Sequence, residues 1–255
     1  YLIATSPKDL KATLISNIVP QRDVLFGILS AERISYIRKT LGIEEGDSML
    51  LVPVRPVPRK QIELDIELTA DIKEAKALNV KLVIMLPSES DDASKEYVAH
   101  LIEKARKEGF NDNDFIFASV KLKDTDIDPW ELYQASDVVL CASFWEGDGN
   151  NTKEAIASKR CVVAYPNPAY RIHFRPRFKL SEFPLKGREN KDEWDELVEA
   201  VGGILKFRKD NDCYQHPEAA QYPEHIQKMV DANYAAGRSE LSEEMEARQL
   251  GNVLT

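Results

Sequence analysis

Five short runs of this chain are apolar at nearly every position: 49–54 (MLLVPV), 82–86 (LVIML), 115–120 (FIFASV), 138–142 (VVLCA) and 161–164 (CVVA). A strand with one wet face alternates apolar with polar side chains. An unbroken run of this length belongs to a strand covered on both sides, as in a parallel sheet. Segments with helical periodicity separate the runs, at 62–79, 94–108, 129–135 and 152–158. The first of these opens with IELDIEL, which alternates with period two. Leu64, Leu68, Ile72 and Ala75 nevertheless recur at helical spacing in a stretch rich in Glu, Lys and Ala, and this favours a helix. In the second, Tyr97, Leu101 and Ala105 share one face, and Gly109 provides the stop. Strand and helix in alternation predict an α/β fold, a doubly wound parallel sheet with right-handed crossovers.

The rhythm is complete only from residue 46 onward. Before it, an apolar run at 2–5 leads into Ser6-Pro7, good chemistry for a helix start, and Leu10, Leu14 and Ile15 continue as a helical stripe. A strand is expected at 23–29 and a helix at 31–41 closed by Gly42. Residues 1–45 therefore read as the tail of a preceding domain with its linker, 46–235 as the main domain, and 236–255 as a C-terminal helix. The chain opens on Tyr1 inside a strand-like run, as a piece of a longer protein would. After residue 165 the pattern loosens. Residues 166–187 hold four prolines and the basic, aromatic run RIHFRPRFK, which predicts a long loop; helices are expected at 192–201, 224–236 and 240–250.

Composition excludes some functions. A net charge of −9 argues against tracking nucleic acid or an anionic membrane surface, which calls for an excess of Lys and Arg. Cys141, Cys161 and Cys213 have no CxxC or zinc-type spacing and read as reduced, buried thiols, and no His has a partner at ligand spacing, so no metal site is expected. No apolar stretch approaches the ~20 residues that span a bilayer, and there is no signal peptide, so a cytoplasmic location is expected. Trp130, Trp145 and Trp194 read as packing residues.

Two loops carry the chemistry. Each follows an apolar run, and so stands at the carboxyl end of the sheet, where open α/β folds bind ligands. The first is Val54-Arg55-Pro56-Val57-Pro58-Arg59-Lys60, with three cations on a segment stiffened by prolines. Arg can clamp a diphosphate bidentately, and Lys meets it as a compact charge. The second is Phe144-Trp145-Glu146-Gly147-Asp148-Gly149-Asn150-Asn151-Thr152-Lys153-Glu154-Ala155. Its glycines let backbone approach a ligand, and the helix it opens offers unpaired amides and positive dipole to a phosphate.

Together the loops resemble the nucleotide-binding domain of GT-B glycosyltransferases, in the retaining group called glycosyltransferase family four. The family's G-R-L-x-x-x-K-G is matched by Arg55 and Lys60, with Val54 and Gln61 in place of the flanking glycines. Its E-G-F-G-x-x-x-x-E-A is matched by Glu146-Gly147-Asp148-Gly149 and Glu154-Ala155, with Asp148 in place of the aromatic. Leu132-Tyr133-Gln134-Ala135-Ser136-Asp137-Val138 is similar to the family's L-Y-x-x-A-D-V, and 157–164 to its A-x-G-x-P-V-V-A.

The resemblance implies transfer of a sugar from a nucleotide diphosphate-sugar donor, with retention and with no cofactor or bound metal. In that scheme Arg55 and Lys60 stabilise the leaving diphosphate, and Glu146 binds sugar hydroxyls near C3 and C4. The backbone amides of Asp148, Gly149, Asn150 and Asn151 hold the sugar and the distal phosphate, and Gly147 and Thr152 complete the donor-binding set. Glu154 takes the ribose hydroxyls, and Ser119, Val120, Lys121 and Leu122 flank the base. The acceptor is unknown, and the N-terminal acceptor domain would be largely missing from this chain, leaving the isolated fragment inactive. The alternatives are a non-catalytic nucleotide-sugar-binding module and a GT-B-type sugar-nucleotide epimerase, for which the sequence shows no acid/base set. A receiver domain lacks its acidic cluster, and a dinucleotide-binding dehydrogenase its GxGxxG.

Overall fold

The computed structural model describes residues 2–3, 13–14, 28–85, 92–215 and 221–240. Two short strands come first: β1 (Leu2–Ile3) pairs antiparallel with β2 (Thr13–Leu14). Leu14 therefore sits in a strand and not on the expected helical stripe, consistent with the strand preference of its β-branched neighbour Thr13. The strand expected at 23–29 lies outside the described residues except for Ile28 and Leu29, which belong to no strand. Most of the helix expected at 240–250 also lies outside them.

The main sheet has six parallel strands: β3 (Ser48–Val52), β4 (Val80–Ile84), β5 (Phe115–Phe117), β6 (Val138–Cys141), β7 (Cys161–Ala164) and β8 (Ser181–Glu182). Their spatial order is β5-β4-β3-β6-β7-β8. The chain thus winds from central β3 toward β5, then returns to lay β6 on the other flank of β3, with Leu50 opposite Val138. That reversal opens a crevice at the carboxyl ends of β3 and β6.

Every residue of β3, β4, β6 and β7 is buried, as the apolar runs predicted. Period-two alternation divides them between two cores. Leu50, Val52, Leu82, Ile84, Val138 and Leu140 face one helical layer; Met49, Leu51, Val83, Val139 and Cys141 face the other. Helices α1 (Ala31–Leu41), α2 (Ile62–Lys76), α3 (Asp92–Lys107), α4 (Ala118–Lys121) and α5 (Glu131–Ala135) precede β6. Helices α6 (Asn150–Ala157), α7 (Lys191–Asp210) and α8 (Glu224–Glu240) follow it. Gly42 closes α1 in the left-handed conformation at φ 80°, as expected. Ile37 and Leu41 of that helix pack on the sheet, although they precede the boundary drawn at residue 45. No helix of the described residues is long and apolar enough to cross a membrane.

Three departures from the sequence reading have physical causes. The run 115–120 divides after Phe117 into strand and helical turn, because Ser119 breaks the apolar pattern. The loop predicted for 166–187 carries a five-residue π-helical turn, Tyr170–Phe174, and the edge strand β8, which is too short to show periodicity. Helix α7 runs through Gly202-Gly203, where the reading stopped it at 201. A Cβ on Gly202 would lie 2.7 Å from Cγ of Lys76, so the glycine serves close packing against α2 and ends nothing.

Asp65, on the first turn of α2, is wholly buried, and neither carboxylate oxygen has a hydrogen-bond partner. Burial, and then the charge of Glu63, raise its pKa well above the ordinary value. The folded protein keeps this proton at pH values where the unfolded chain has released it. Stability from this group is therefore complete below the unfolded pKa of about 4 and falls by about 1.4 kcal/mol per pH unit until the folded pKa is passed. Asp65→Asn does not titrate. It is expected to gain stability over the parent progressively as pH rises, measured by urea melts across a pH series. Parallel stability profiles for the two proteins would show that Asp65 does not titrate in this way.

Candidate functional site

The loop after β3 turns through two prolines into a single 3-10 turn, Pro58–Lys60, and enters α2 through Gln61 at φ 50°. That left-handed backbone explains a glycine in the family pattern at this position; Gln61 adopts it at a cost of about 1–2 kcal/mol. The turn points the Lys60 side chain inward. Its ammonium donates to Oε1 of Glu146 on the loop after β6, and both side chains are largely buried. Arg59 Nη1 lies 3.6 Å from the other Glu146 oxygen and donates to the Trp145 carbonyl at 3.0 Å. The Phe144 amide returns a 2.9 Å bond to the Arg59 carbonyl. Two loops far apart in sequence are thereby laced across the β3/β6 reversal.

Between them lies a crevice of about 350 Å³ lined by Arg55, Arg59, Lys60, Glu146, Gly147, Asp148, Gly149, Asn150, Asn151 and Glu154, among others. Arg55 is exposed at its mouth. Of the predicted residues, Arg55, Lys60, Glu146 to Asn151 and Glu154 meet here. Thr152 stands just behind, in the cavity wall on the far side of the turn. Ser119, Val120, Lys121 and Leu122 do not line this crevice; they follow β5, the strand at the far edge of the sheet.

The Gly-rich turn is shaped by one of its two glycines. Gly149 has φ 68°, and a Cβ there would meet Phe174 Cε2 at 2.7 Å. Gly147 faces open space with no positive φ, so its need for glycine does not come from the protein's own packing. Helix α6 begins at Asn150, two residues earlier than predicted. Thr152 and Lys153 amides bond back to the Gly149 carbonyl at 3.0 and 3.2 Å. The amides of Asn150 and Asn151 have no acceptor among the described residues and open toward the crevice, as a helix amino end does.

Asp148 does not carry an uncompensated charge into this region. Lys153, only 2% exposed, donates to its Oδ2 at 2.6 Å. Burial lowers the pKa of Lys153, and Asp148 opposes that effect. The sequence alone assigns Lys153 no role, although an ionisable residue inside the helix stripe is a signal that a partner is near. Glu154 is likewise set by a partner the reading did not assign: Tyr133, fully buried on α5, donates to its Oε2 at 2.6 Å. Burial and then the Glu154 charge raise the pKa of Tyr133 well above its ordinary value, so it remains a donor. Trp145, expected in the packing, is 58% exposed beside equally exposed Phe144, and both are tied to Arg59 through their backbones. Trp194 is buried as expected and donates to Asp71 at 2.7 Å.

The π-helical turn lays Phe174 on Gly149, and Asn167 donates to the Ser143 carbonyl at 2.8 Å, so the 166–177 segment braces the Gly-rich turn from outside. No disulfide joins the three cysteines, and all three are buried.

Comparison with known proteins bears on the family and the fold. The family model for glycosyl transferases group 1 matches residues 34–211. The mannosylglucosylglycerate synthase of Thermotoga maritima is 25% identical over 181 residues, covering 66% of this chain and 40% of that protein. The enzyme of the same name from Petrotoga mobilis is 29% identical over 156 residues, 53% of this chain and 35% of that one. The chain thus spans well under half the length of the curated relatives it matches. Among solved structures, Anabaena HepE in complex with UDP and glucose superimposes with a TM-score of 0.65 at 16% identity, over 93% of this chain and 56% of that one. A glycosyltransferase from Rickettsia africae does so with 0.63 at 15% identity, over 94% and 56%. These two likenesses carry the GT-B fold. With a family match over well more than half of its length, the chain belongs to the glycosyl transferases of group 1.

Proposed function

We propose that this chain is the donor-binding part of a glycosyltransferase that moves a sugar from a nucleoside diphosphate-sugar to an acceptor with retention of configuration. The observation that supports it best is convergence. Cations from the β3 loop, the open amides of α6 and the carboxylates Glu146 and Glu154 face one crevice at the point where strand order reverses.

In this reading Lys60, Arg59 and Arg55 meet the diphosphate and balance the charge that grows on it as the glycosidic bond breaks. They supply there what a metal ion supplies in other transferases, so no metal is required. Lys60 already holds Glu146, so an incoming diphosphate shares the ammonium with that carboxylate. Glu146 stays in place to accept hydrogen bonds from sugar hydroxyls. The amides of Asn150 and Asn151 take the distal phosphate, and Glu154, braced by Tyr133, takes the ribose. The base would extend over β4 toward Ser119 to Leu122. The acceptor would be held largely by an N-terminal domain outside this chain, so the chain alone binds donor without turning it over.

Calorimetry of the chain with UDP, GDP and ADP, in the presence of a chelator, tests the reading. One of the three is expected to bind saturably, UDP being the first to try because HepE is recorded with it. Binding should weaken as salt screens the cations. If none of the three binds, the donor reading is wrong.

A further inference from the structure

Arg59 is joined to the loop after β6 in two different ways. Its carbonyl accepts the Phe144 amide at 2.9 Å, and its side chain donates from Nη1 to the Trp145 carbonyl at 3.0 Å. The first bond is backbone to backbone and survives a change of side chain. The second depends on the guanidinium. One residue further on, Glu146 is held separately by Lys60. Trp145 therefore stands between two fixed neighbours, and among the described residues the bond from Arg59 is its one hydrogen bond. Its indole and the neighbouring Phe144 ring are both largely exposed.

Arg59 spends only part of its donor set on this loop. A guanidinium carries five N–H groups in a planar fork. Nη1 serves the Trp145 carbonyl and stands 3.6 Å from Glu146 Oε2; among the described residues no acceptor stands at Nε or Nη2. The Nε/Nη2 edge is one that can grip two oxygens of an oxyanion at once. It belongs to a side chain that is 48% exposed and that lines the open crevice with Arg55, Lys60 and the amino end of α6. All of these favour an anion, and Lys60 is already engaged by Glu146. As a plain brace Arg59 would be weak, because an ion pair this exposed is screened by solvent. Its unspent edge gives it a second task.

We infer that Arg59 is a positioning residue that couples occupancy of the crevice to the Phe144–Trp145 rim. A diphosphate gripped by the Nε/Nη2 edge fixes the guanidinium, and the guanidinium fixes the Trp145 carbonyl. Without the anion, the half-exposed side chain exchanges among rotamers and holds Trp145 intermittently. With it, the ordering cost is met once for both contacts, so each strengthens the other. The coupling sets an order of events: donor first, then whatever meets the rim. It rests on the donor reading above for the identity of the anion.

Fluorine NMR tests the coupling. The chain has three tryptophans, so labelling with 5-fluorotryptophan gives three resonances, and Trp145→Phe assigns one of them. Inorganic pyrophosphate is the probe, because it carries the diphosphate without base or sugar, and calorimetry sets a saturating concentration for each protein. At saturation the Trp145 resonance of the parent is expected to shift and narrow, while that of buried Trp194 stays in place. Arg59→Lys keeps the charge and the backbone bond to Phe144 but lacks the fork. Its Trp145 resonance is expected to be displaced from the parent's before any ligand is added, and to lose the pyrophosphate shift. A Trp145 resonance that ignores saturating pyrophosphate in the parent, or that moves equally in Arg59→Lys, overturns the coupling; so does a parent that binds no pyrophosphate. If Arg59→Lys alone fails to bind it, the ligand-free spectra decide: a displaced Trp145 resonance supports the tie, and one that coincides with the parent's overturns it. A Trp145 response to pyrophosphate with no binding of UDP, GDP or ADP would sink the donor reading and leave the coupling standing.

Discussion

Replacing Lys60 with Met in the complete enzyme is expected to lower kcat/KM for the donor by about 10²–10³-fold, the range found when one preorganised donor to a developing anion is removed. Two effects add in this substitution. On the proposed donor reading the diphosphate would lose a cation that the 3-10 turn holds ready, and Glu146 loses the partner that neutralises it. The freed carboxylate then repels the incoming phosphates, since Arg59 at 3.6 Å is half exposed and screened. Pairing the substitution with Glu146→Gln separates the effects. Lys60→Met in a Glu146→Gln background should cost less than in the parent, because the repelling charge is gone, and the two changes should be clearly non-additive. Steady-state kinetics of the four proteins makes the measurement. A loss below about threefold for Lys60→Met would remove Lys60 from the diphosphate site. Strict additivity would show that its bond to Glu146 has no part in binding.

How much of this was legible beforehand follows from which residues act alone and which act in pairs. The sheet could be read because burial on both faces leaves strands with no polar alternation, so 49–54 and 138–142 declared themselves. The positions of Arg55, Lys60, Glu146 and Glu154 were legible too, because each stands at a fixed offset from a strand end. Their partners were not. Lys153 reaches Asp148 across the local turn at Gly149, whereas Tyr133 touches Glu154 only because α5 and α6 fold against the same layer. No spacing along the chain encodes that. Lys153 carries no signal of its burial in the sequence, yet its side chain is 2% exposed. Edge strand β8 and the π-helical turn were missed for another reason: two residues of strand and five of turn are too few to repeat a period. The glycines show the same limit, since Gly147, Gly149 and Gly202 read alike and only coordinates separate a left-handed turn from a close approach.

Asp137 gives the second large effect, and it too entered only as part of the LYQASDV run. It is wholly buried at the foot of β6, between two arginines. Arg208 Nε and the Tyr214 hydroxyl donate to Oδ1, the latter at 2.6 Å; the Met49 amide donates to Oδ2 at 2.6 Å, and Arg38 Nη1 lies 3.7 Å from that oxygen. Burial pushes its pKa up, but the charges of Arg208 and Arg38 and these bonds outweigh it and hold the group below the ordinary value. Asp137→Ala leaves Arg208 and Arg38, both buried, without their shared counter-ion, and frees the Met49 amide at the start of the central strand. The expected loss is about 3–5 kcal/mol at neutral pH, the range for removing one partner of a buried ion pair. The sign with pH is opposite to that of Asp65. A depressed pKa contributes stability above the unfolded value of about 4, and that contribution disappears as pH falls through the folded one. The gap between Asp137→Ala and the parent should therefore narrow in acid, while the gap between Asp65→Asn and the parent also closes there for the reverse reason, the parent Asp65 being protonated in both states. Urea melts of the three proteins at neutral and acid pH would measure both gaps. An Asp137→Ala loss under about 1 kcal/mol at neutral pH would mean that Arg38 and Arg208 are held by the Ala135, Asp47 and Gln221 carbonyls to which they also donate, and that the carboxylate is dispensable.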